Sequence, residues 1–129
     1  MRDGKPVVLV VDDSSICRAI AHGVVTGAGY EALVAQDADE AVRILAASDD
    51  IDLVFTDVQM PGTMNGVELC QYIRNHWPSV KLIVASGLEI LDESRLPIGS
   101  RFFLKPYSIE AISGTMAHML STDDARTLA

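Results

Sequence analysis

The run Pro6-Val7-Val8-Leu9-Val10-Val11-Asp12-Asp13 joins six apolar residues to two carboxylates. Its apolar part is rich in β-branched residues and shows no polar alternation, which predicts a strand covered on both faces. Such strands are typical of parallel sheets in α/β proteins. Asp12 and Asp13 therefore stand where the chain leaves a buried strand.

Short apolar runs and helical patterns alternate along the rest of the chain. Further strands are predicted at Tyr30 to Ala35, Ile51 to Thr56, Val80 to Ala85 and Arg101 to Leu104. Apolar residues recur at helical spacing between them, as in Ile16, Ile20 and Val24, and in Ile109, Ile112 and Met116 of the last helix. Asp37 and Ser108 are expected helix caps. The alternation predicts a parallel sheet with right-handed crossovers and helices on both faces.

Composition limits the class of protein. The chain has 129 residues, 49% hydrophobic and 22% charged, which suits one globular domain. Acidic residues number 18 and basic residues 10, and this net charge of −8 argues against nucleic acid or a membrane surface as partner. Cys17 and Cys70 lack the spacing of a zinc site or a disulfide framework. No membrane span or signal peptide is recognisable, so we expect a cytoplasmic location.

Reactive side chains follow four of the predicted strands. Asp12 and Asp13 end the first, Asp57 the third, Ser86 the fourth and Lys105 the fifth. Each has an ordinary explanation when taken singly: Asp13 as a helix cap, Asp57 and Ser86 as turn residues, Lys105 as a solvated lysine. Because ligands bind beyond the carboxyl ends of parallel strands, their joint placement predicts a site.

The chemistry of this set favours phosphoryl transfer. Two carboxylates about 4 Å apart repel by about 4 kcal/mol at an effective dielectric constant of 20, and a divalent cation offsets that repulsion. Oxygen ligands favour Mg²⁺ over zinc. A carboxylate can serve as a nucleophile and form an acyl phosphate, with a lysine and a hydroxyl on the phosphoryl oxygens.

Three stretches resemble the receiver domain of two-component response regulators, the fold of the chemotaxis regulator: Val11-Asp12-Asp13-Ser14, Phe55-Thr56-Asp57-Val58-Gln59-Met60-Pro61-Gly62 and Phe103-Leu104-Lys105-Pro106-Tyr107. The resemblance covers residues 5–121 and leaves a polar tail at 122–129. It implies a flavodoxin-like, doubly wound α/β fold with five parallel strands in the order 2-1-3-4-5. Five helices are expected, the fourth (about Glu89 to Ser94) short or irregular because the chain between Ser86 and Phe102 is shorter than usual.

The resemblance also implies roles for individual residues. Asp57 is the expected phosphoacceptor, with Ser86 and Lys105 on the phosphoryl oxygens. Mg²⁺ is expected on Asp13, Asp57 and the backbone carbonyl of Gln59, with Asp12 acting through a bound water. Phe102 falls at the position of an aromatic switch residue that responds to Ser86, and the Lys105-Pro106 bond is often cis in the family. Gln59 and Leu88 occupy the two positions that tune phosphate lifetime.

The implied partners are a histidine kinase or histidine phosphotransfer protein and a downstream protein target; a homodimer formed on phosphorylation stays open. We expect a signalling phosphoprotein that catalyses only its own phosphorylation and dephosphorylation, either a stand-alone receiver or a fragment of a larger regulator. One alternative is a phosphohydrolase of the haloacid dehalogenase type, but Gln59 stands where that class carries a second Asp. The other is a receiver-like scaffold that accepts no phosphate, which the complete acidic set and Lys105 disfavour.

Overall fold

Five parallel strands form the centre of the protein. The structure is a computed structural model that describes residues 4–87 and 93–128, with residues 122–128 described by their backbone. The strands are β1 (Val7–Val11), β2 (Glu31–Ala35), β3 (Ile51–Asp57), β4 (Lys81–Ser86) and β5 (Arg101–Leu104). Their order is β2-β1-β3-β4-β5 and every pairing is parallel, which confirms the predicted topology.

Helices cover both faces of the sheet. They are α1 (Ser15–Gly27), α2 (Ala38–Ala47), α3 (Gly66–His76) and α4 (Ile109–Leu128). Asp37 caps α2 by accepting a hydrogen bond from the Glu40 amide at 2.9 Å, and Ser108 caps α4 by accepting one from the Ala111 amide at 3.1 Å. Both predicted caps are thus confirmed. The cap of α1 is Ser14, which accepts from the Cys17 amide at 3.2 Å, so Asp13 is not the cap.

The core has one layer on each side of the sheet. Side chains of α2 and α3, such as Leu45 and Ile73, pack on one face. Side chains of α1 and α4, such as Val25 and Met116, pack on the other. Because both faces are covered, every residue of β1 is buried, as the unbroken apolar run predicts.

Three expectations about the helices differ from the structure. The described residues contain four α-helices rather than five: positions 88–92 lie outside the described part, and the rest of the expected fourth helix is a single 3-10 turn at Glu93–Arg95. Pro97, two residues after Arg95, prevents a helix from continuing past this turn. The last helix continues to Leu128, past the expected start of the tail at residue 122, because no glycine or proline interrupts it after Gly114.

The third difference concerns three isoleucines that belong to the apolar patterns of the first and last helices. Ile16, Ile20 and Ile109 are 72%, 53% and 56% exposed. In α1 the buried stripe runs instead through Ala21, Val24 and Val25, so the two isoleucines lie to one side of it. An apolar surface therefore remains on α1 and α4.

Parallel pairing determines where the reactive side chains lie. The carboxyl ends of all five strands meet at one edge of the sheet, and Asp12, Asp57, Ser86 and Lys105 stand at those ends. Within residues 4–87 and 93–128, no helix combines the length and the apolar character that a membrane span requires.

Candidate functional site

Three carboxylates meet at the carboxyl edge of the sheet. Asp12 follows β1 and Asp57 ends β3, and the register of these neighbouring strands pairs Val11 with Thr56. Carboxylate oxygens of Asp12, Asp13 and Asp57 all lie within 4.8 Å of one another. Asp12 is buried, Asp57 is half-buried and Asp13 is exposed. The structure thus brings together the three acidic residues that the strand pattern predicts to meet.

Asp12 is held by the start of α1. Its Oδ1 accepts a hydrogen bond from the Ser14 amide at 3.0 Å, and its backbone carbonyl accepts one from Arg18 Nη1 at 2.8 Å. Its Oδ2 lies 3.4 Å from Lys105 Nζ. One oxygen of this carboxylate therefore fixes the local backbone, and the other faces the site.

Lys105 is the cation of the site. Its Nζ lies 3.4 Å from Asp12 Oδ2 and 3.5 Å from Asp57 Oδ1. The peptide bond to Pro106 is cis, as the resemblance implied, and the Lys105 amide donates to the Ser86 carbonyl at 2.8 Å. Burial alone lowers the pKa of Lys105, but the two carboxylates outweigh it and the pKa lies above its ordinary value. Lys105 is therefore a fixed positive charge beside Asp57.

Asp57 has a buried carboxylate oxygen that receives few stabilising contacts from the protein. Its Oδ1 is buried and, apart from the Lys105 ion pair, has no hydrogen-bond partner within the part of the chain that the structure describes. Burial raises the pKa of Asp57; Lys105 opposes the rise and Asp12 adds to it. The environment as a whole disfavours the negative charge on this carboxylate.

Ser86 is fully buried at the end of β4, and its hydroxyl already has a partner. Ser86 Oγ donates a hydrogen bond to Gln59 Oε1 at 3.0 Å. Gln59 follows β3 in the loop that carries Met60 and Pro61. The structure thus joins two predicted site residues in a contact that spacing along the chain does not reveal.

Other residues with a part in the site were given no role from the sequence. Thr56 is 1% exposed, and its hydroxyl donates to the Asp57 carbonyl at 2.9 Å. The ring of Tyr107 packs on Phe55 with centroids 5.6 Å apart, and Tyr107 lines the same small cleft as Asp57 and Lys105. A polar residue inside an apolar strand run was the available signal for Thr56.

Gly66 fixes the approach of α3 to the end of β3. A Cβ at this position would collide with the Asp57 carbonyl oxygen and lie 2.9 Å from Val58 Cα. The Gly66 amide donates to the Val58 carbonyl at 2.9 Å. Only a residue without a side chain fits so close to the strand end.

Two further residues, Phe102 and Leu88, were predicted to take part in the response to phosphorylation. Phe102, in β5, is partly buried and packs against the layer formed by α2 and α3, and its amide donates to Glu93 Oε2 at 2.8 Å. Leu88 lies outside the described residues. The switch role of Phe102 and the lifetime role of Leu88 stay predictions.

The donor set fits a hard divalent cation. Three carboxylates supply oxygen ligands, the type that Mg²⁺ prefers, and the half-buried Asp57 offers an oxygen free of hydrogen bonds among the described residues. No sulfur or imidazole ligand belongs to this group. The site can therefore hold a hard divalent cation such as Mg²⁺ next to carboxylates, a lysine and a hydroxyl.

A sequence profile decides the family. The profile of the response regulator receiver domain matches residues 8–113 of this chain. The chain belongs to the response regulator receiver domain family. Receiver domains are signalling domains of two-component systems; they bind Mg²⁺ at an acidic pocket and interact with histidine kinases and downstream effectors. This membership favours signalling over the phosphohydrolase alternative.

Individual receiver domains are similar in sequence and in structure. The "uncharacterized transcriptional regulatory protein YrkP" of Bacillus subtilis is 35% identical over 107 residues, which are 81% of this chain and 45% of that protein. Response regulator MprA of Mycolicibacterium vanbaalenii is 31% identical over 116 residues, 88% of this chain and 49% of that protein. A receiver domain protein from Clostridium thermocellum superposes with a TM-score of 0.84 at 25% identity, covering 93% of this chain and 98% of its own.

The receiver domain described here spans less than half the length of both curated relatives, 45% of one and 49% of the other. The similarity therefore concerns the receiver fold and its site.

Proposed function

We propose that this receiver domain takes a phosphoryl group on Asp57 from a phosphohistidine donor and passes the signal to a protein partner. One observation carries the proposal: the buried Asp57 Oδ1, which has no hydrogen-bond partner in the described part, lies 3.5 Å from Lys105 Nζ, and the Asp57 carboxylate offers an oxygen within 4.8 Å of oxygens of Asp12 and Asp13. That arrangement combines a nucleophile, a fixed cation and oxygen ligands for a metal.

The transfer exchanges one bond to phosphorus for another. An Asp57 carboxylate oxygen attacks phosphorus, the bond from phosphorus to the donor imidazole nitrogen breaks, and its electron pair returns to the imidazole. Lys105 lies where it can balance the charge of the phosphoryl oxygens. The product is an acyl phosphate on Asp57.

Metal binding belongs to the same proposal. Asp13, Asp57 and the Gln59 carbonyl are the proposed Mg²⁺ ligands, with Asp12 acting through a bound water. When bound, Mg²⁺ neutralises negative charge on the transferred group. Asp12 meanwhile keeps Lys105 in place through the 3.4 Å contact.

The response to phosphorylation starts at Ser86. Its hydroxyl donates to Gln59 in the structure, so binding a phosphoryl oxygen requires that this hydrogen bond be exchanged. Phe102 lies on the neighbouring strand, where the register pairs it with Val84. We propose that movement of Ser86 changes the packing of Phe102 and thereby the surface offered to the target.

Acetyl phosphate labelling tests the phosphoacceptor. The full chain is incubated with acetyl phosphate with and without Mg²⁺, and intact and peptide masses are measured. We expect one phosphoryl group, dependent on Mg²⁺ and located on Asp57. Asp57→Asn should abolish labelling, whereas Asp49→Asn, at an exposed residue in the loop after α2, should leave it unchanged.

Other outcomes contradict the proposal. Labelling that persists in Asp57→Asn, or equal labelling without Mg²⁺, removes Asp57 or the metal from the mechanism. Steady turnover of a phosphomonoester would instead favour the phosphohydrolase. A partner interaction that is retained and still regulated in Asp57→Asn would favour the scaffold.

Gln59 and Leu88 are the two residues that we propose control how long the phosphoryl group stays on Asp57. An apolar Leu88 cannot orient an attacking water, so we expect slow loss of the phosphoryl group. Leu88→Asn should speed the decay of the phosphorylated protein, and an unchanged decay rate would remove Leu88 from this role.

A further inference from the structure

A second polar region lies at the opposite end of the sheet from Asp57. A cavity of about 380 Å³ opens between the end of α3, the amino ends of β4 and β5, and α4. This volume falls in the range of about 300–1,000 Å³ that is usual for small-molecule sites.

Basic side chains line this cavity in an acidic protein. Arg74, Lys81, Arg101 and His118 all belong to its wall. Three of the chain's 10 lysines and arginines are thus gathered at one place, although the net charge is −8. Such a concentration of positive charge attracts an anion from solution.

Buried polar atoms without partners mark the same region. In residues 4–87 and 93–121, they belong to Asp57, Arg74 and Ser100. Asp57 is part of the acidic site. Arg74 belongs to the wall of the second cavity, with its Nε buried behind that wall, and Ser100, which is 5% exposed, lies between the lining residues Gly99 and Arg101. Buried donors of this kind are normally satisfied by a water, an ion or a ligand.

The two arginines are already partly oriented. Arg74 Nη1 donates to the Ile98 carbonyl at 2.7 Å, and Arg101 Nε lies 3.6 Å from Glu93 Oε2. A guanidinium has five N–H donors, so each arginine retains donors beyond these contacts. Paired donors on a planar group suit phosphate oxygens.

Apart from Ser79 and Gly99, the rest of the wall is apolar. Pro78, Val80, Ile98 and Met119 also line the cavity, and Ile98 is 93% exposed at its edge. A ligand that satisfies both parts of the wall has a phosphate group joined to an apolar or aromatic body. We propose that this cavity binds a small organic phosphate of the size of a nucleoside monophosphate, independently of phosphorylation at Asp57.

Calorimetric titration of the full chain with AMP tests the proposal. A metal chelator in the buffer keeps the acidic site out of the measurement, and amide NMR shifts locate the binding. We expect saturable binding with shifts at Val80, Gly99 and Arg101. Adenosine, which lacks the phosphate, and inorganic phosphate, which lacks the apolar body, should both bind more weakly than AMP.

Substitutions that remove one positive charge distinguish binding in this cavity from general electrostatic attraction of AMP to the protein. Arg101→Gln changes a half-exposed side chain and should weaken AMP binding about tenfold, the loss expected for one charged hydrogen bond. Arg74→Gln should do the same. The matched control is Arg43→Gln, an exposed arginine on α2, which should leave the affinity unchanged.

The assignment is wrong if AMP does not bind, or if the shifts fall at the acidic site. It is also wrong if adenosine or inorganic phosphate binds as tightly as AMP, or if Arg43→Gln weakens binding as much as Arg101→Gln.

Discussion

The charge on the Asp57 carboxylate is subject to opposing electrostatic influences. Burial and the neighbouring Asp12 disfavour its charge, while Lys105 favours it, and the pKa of Asp57 lies above its ordinary value. A folded-state pKa above the unfolded value means that the folded protein binds this proton more tightly. Stability from this residue is therefore greatest at low pH and falls as pH rises through the folded pKa.

Asp57→Asn should therefore stabilise the metal-free protein at neutral pH. Replacing the ionised carboxylate removes a charge that its environment disfavours as a whole. We expect a gain on the order of 1 kcal/mol, or about 4 °C in Tm, measured by thermal unfolding in a chelator. Asp49→Asn serves as the control for loss of one negative charge. A lower Tm for Asp57→Asn at neutral pH, or a difference from wild type that grows as pH falls, would contradict the pKa direction.

The positions of the site residues could be predicted unevenly from the sequence. Asp12, Asp57 and Lys105 were found because each follows a recognisable strand, and position on a parallel strand fixes position at the sheet edge. The hydrogen bond from Ser86 to Gln59 could not be found this way. It depends on which way two side chains turn, and spacing along the chain carries no information about that.

Helices and strands can be predicted from the sequence where a single pattern of apolar residues determines them. The central strands β1, β3 and β4 have mostly apolar runs, and the strand order follows from the family resemblance. For the region between β4 and β5, the short chain predicts a short or irregular helix, and its described part is a 3-10 turn at Glu93–Arg95. The contact between Gly66 and the end of β3 is tertiary, so no local pattern reveals it.

Gly66→Ala should disturb the junction of β3 and α3. Its methyl group would overlap the Asp57 carbonyl and crowd Val58, so the strand end or α3 must shift. We expect a loss of about 1–3 kcal/mol in the free energy of unfolding, the usual cost of overpacking, measured by urea denaturation.

The control for this variant is Gly114→Ala in α4, where an added methyl meets no atom of the described residues within 4 Å. That substitution should stabilise by about 0.4–1 kcal/mol because alanine restricts the unfolded chain. Equal effects of the two substitutions would show that the close approach at Gly66 has no energetic consequence.

An exposed apolar surface on α1 and α4 borders the acidic site. Ile16 and Ile20 lie one turn apart on α1, and Ile20 shares a groove with Ile109 at the start of α4. The same two helices begin next to Asp12 and Lys105 at the carboxyl edge of the sheet. If Asp57 receives its phosphoryl group from a protein, as proposed above, that protein must cover this edge, and we expect it to contact the isoleucine surface.

Ile20→Ser should then slow transfer from a protein donor but not from acetyl phosphate, because only the protein uses the docking surface. The donors are the histidine kinases of the source organism, each purified and autophosphorylated, and kcat/KM for transfer is measured. We expect a decrease of about tenfold with the productive kinase, the loss expected for an interface anchor. Ile98→Ser, an equally apolar and more exposed position at the opposite edge of the sheet, should leave the rate unchanged.

If Ile20→Ser slows acetyl phosphate labelling equally, the isoleucine supports the site rather than the partner. If Ile98→Ser slows kinase transfer as much, the contact is not confined to the carboxyl edge.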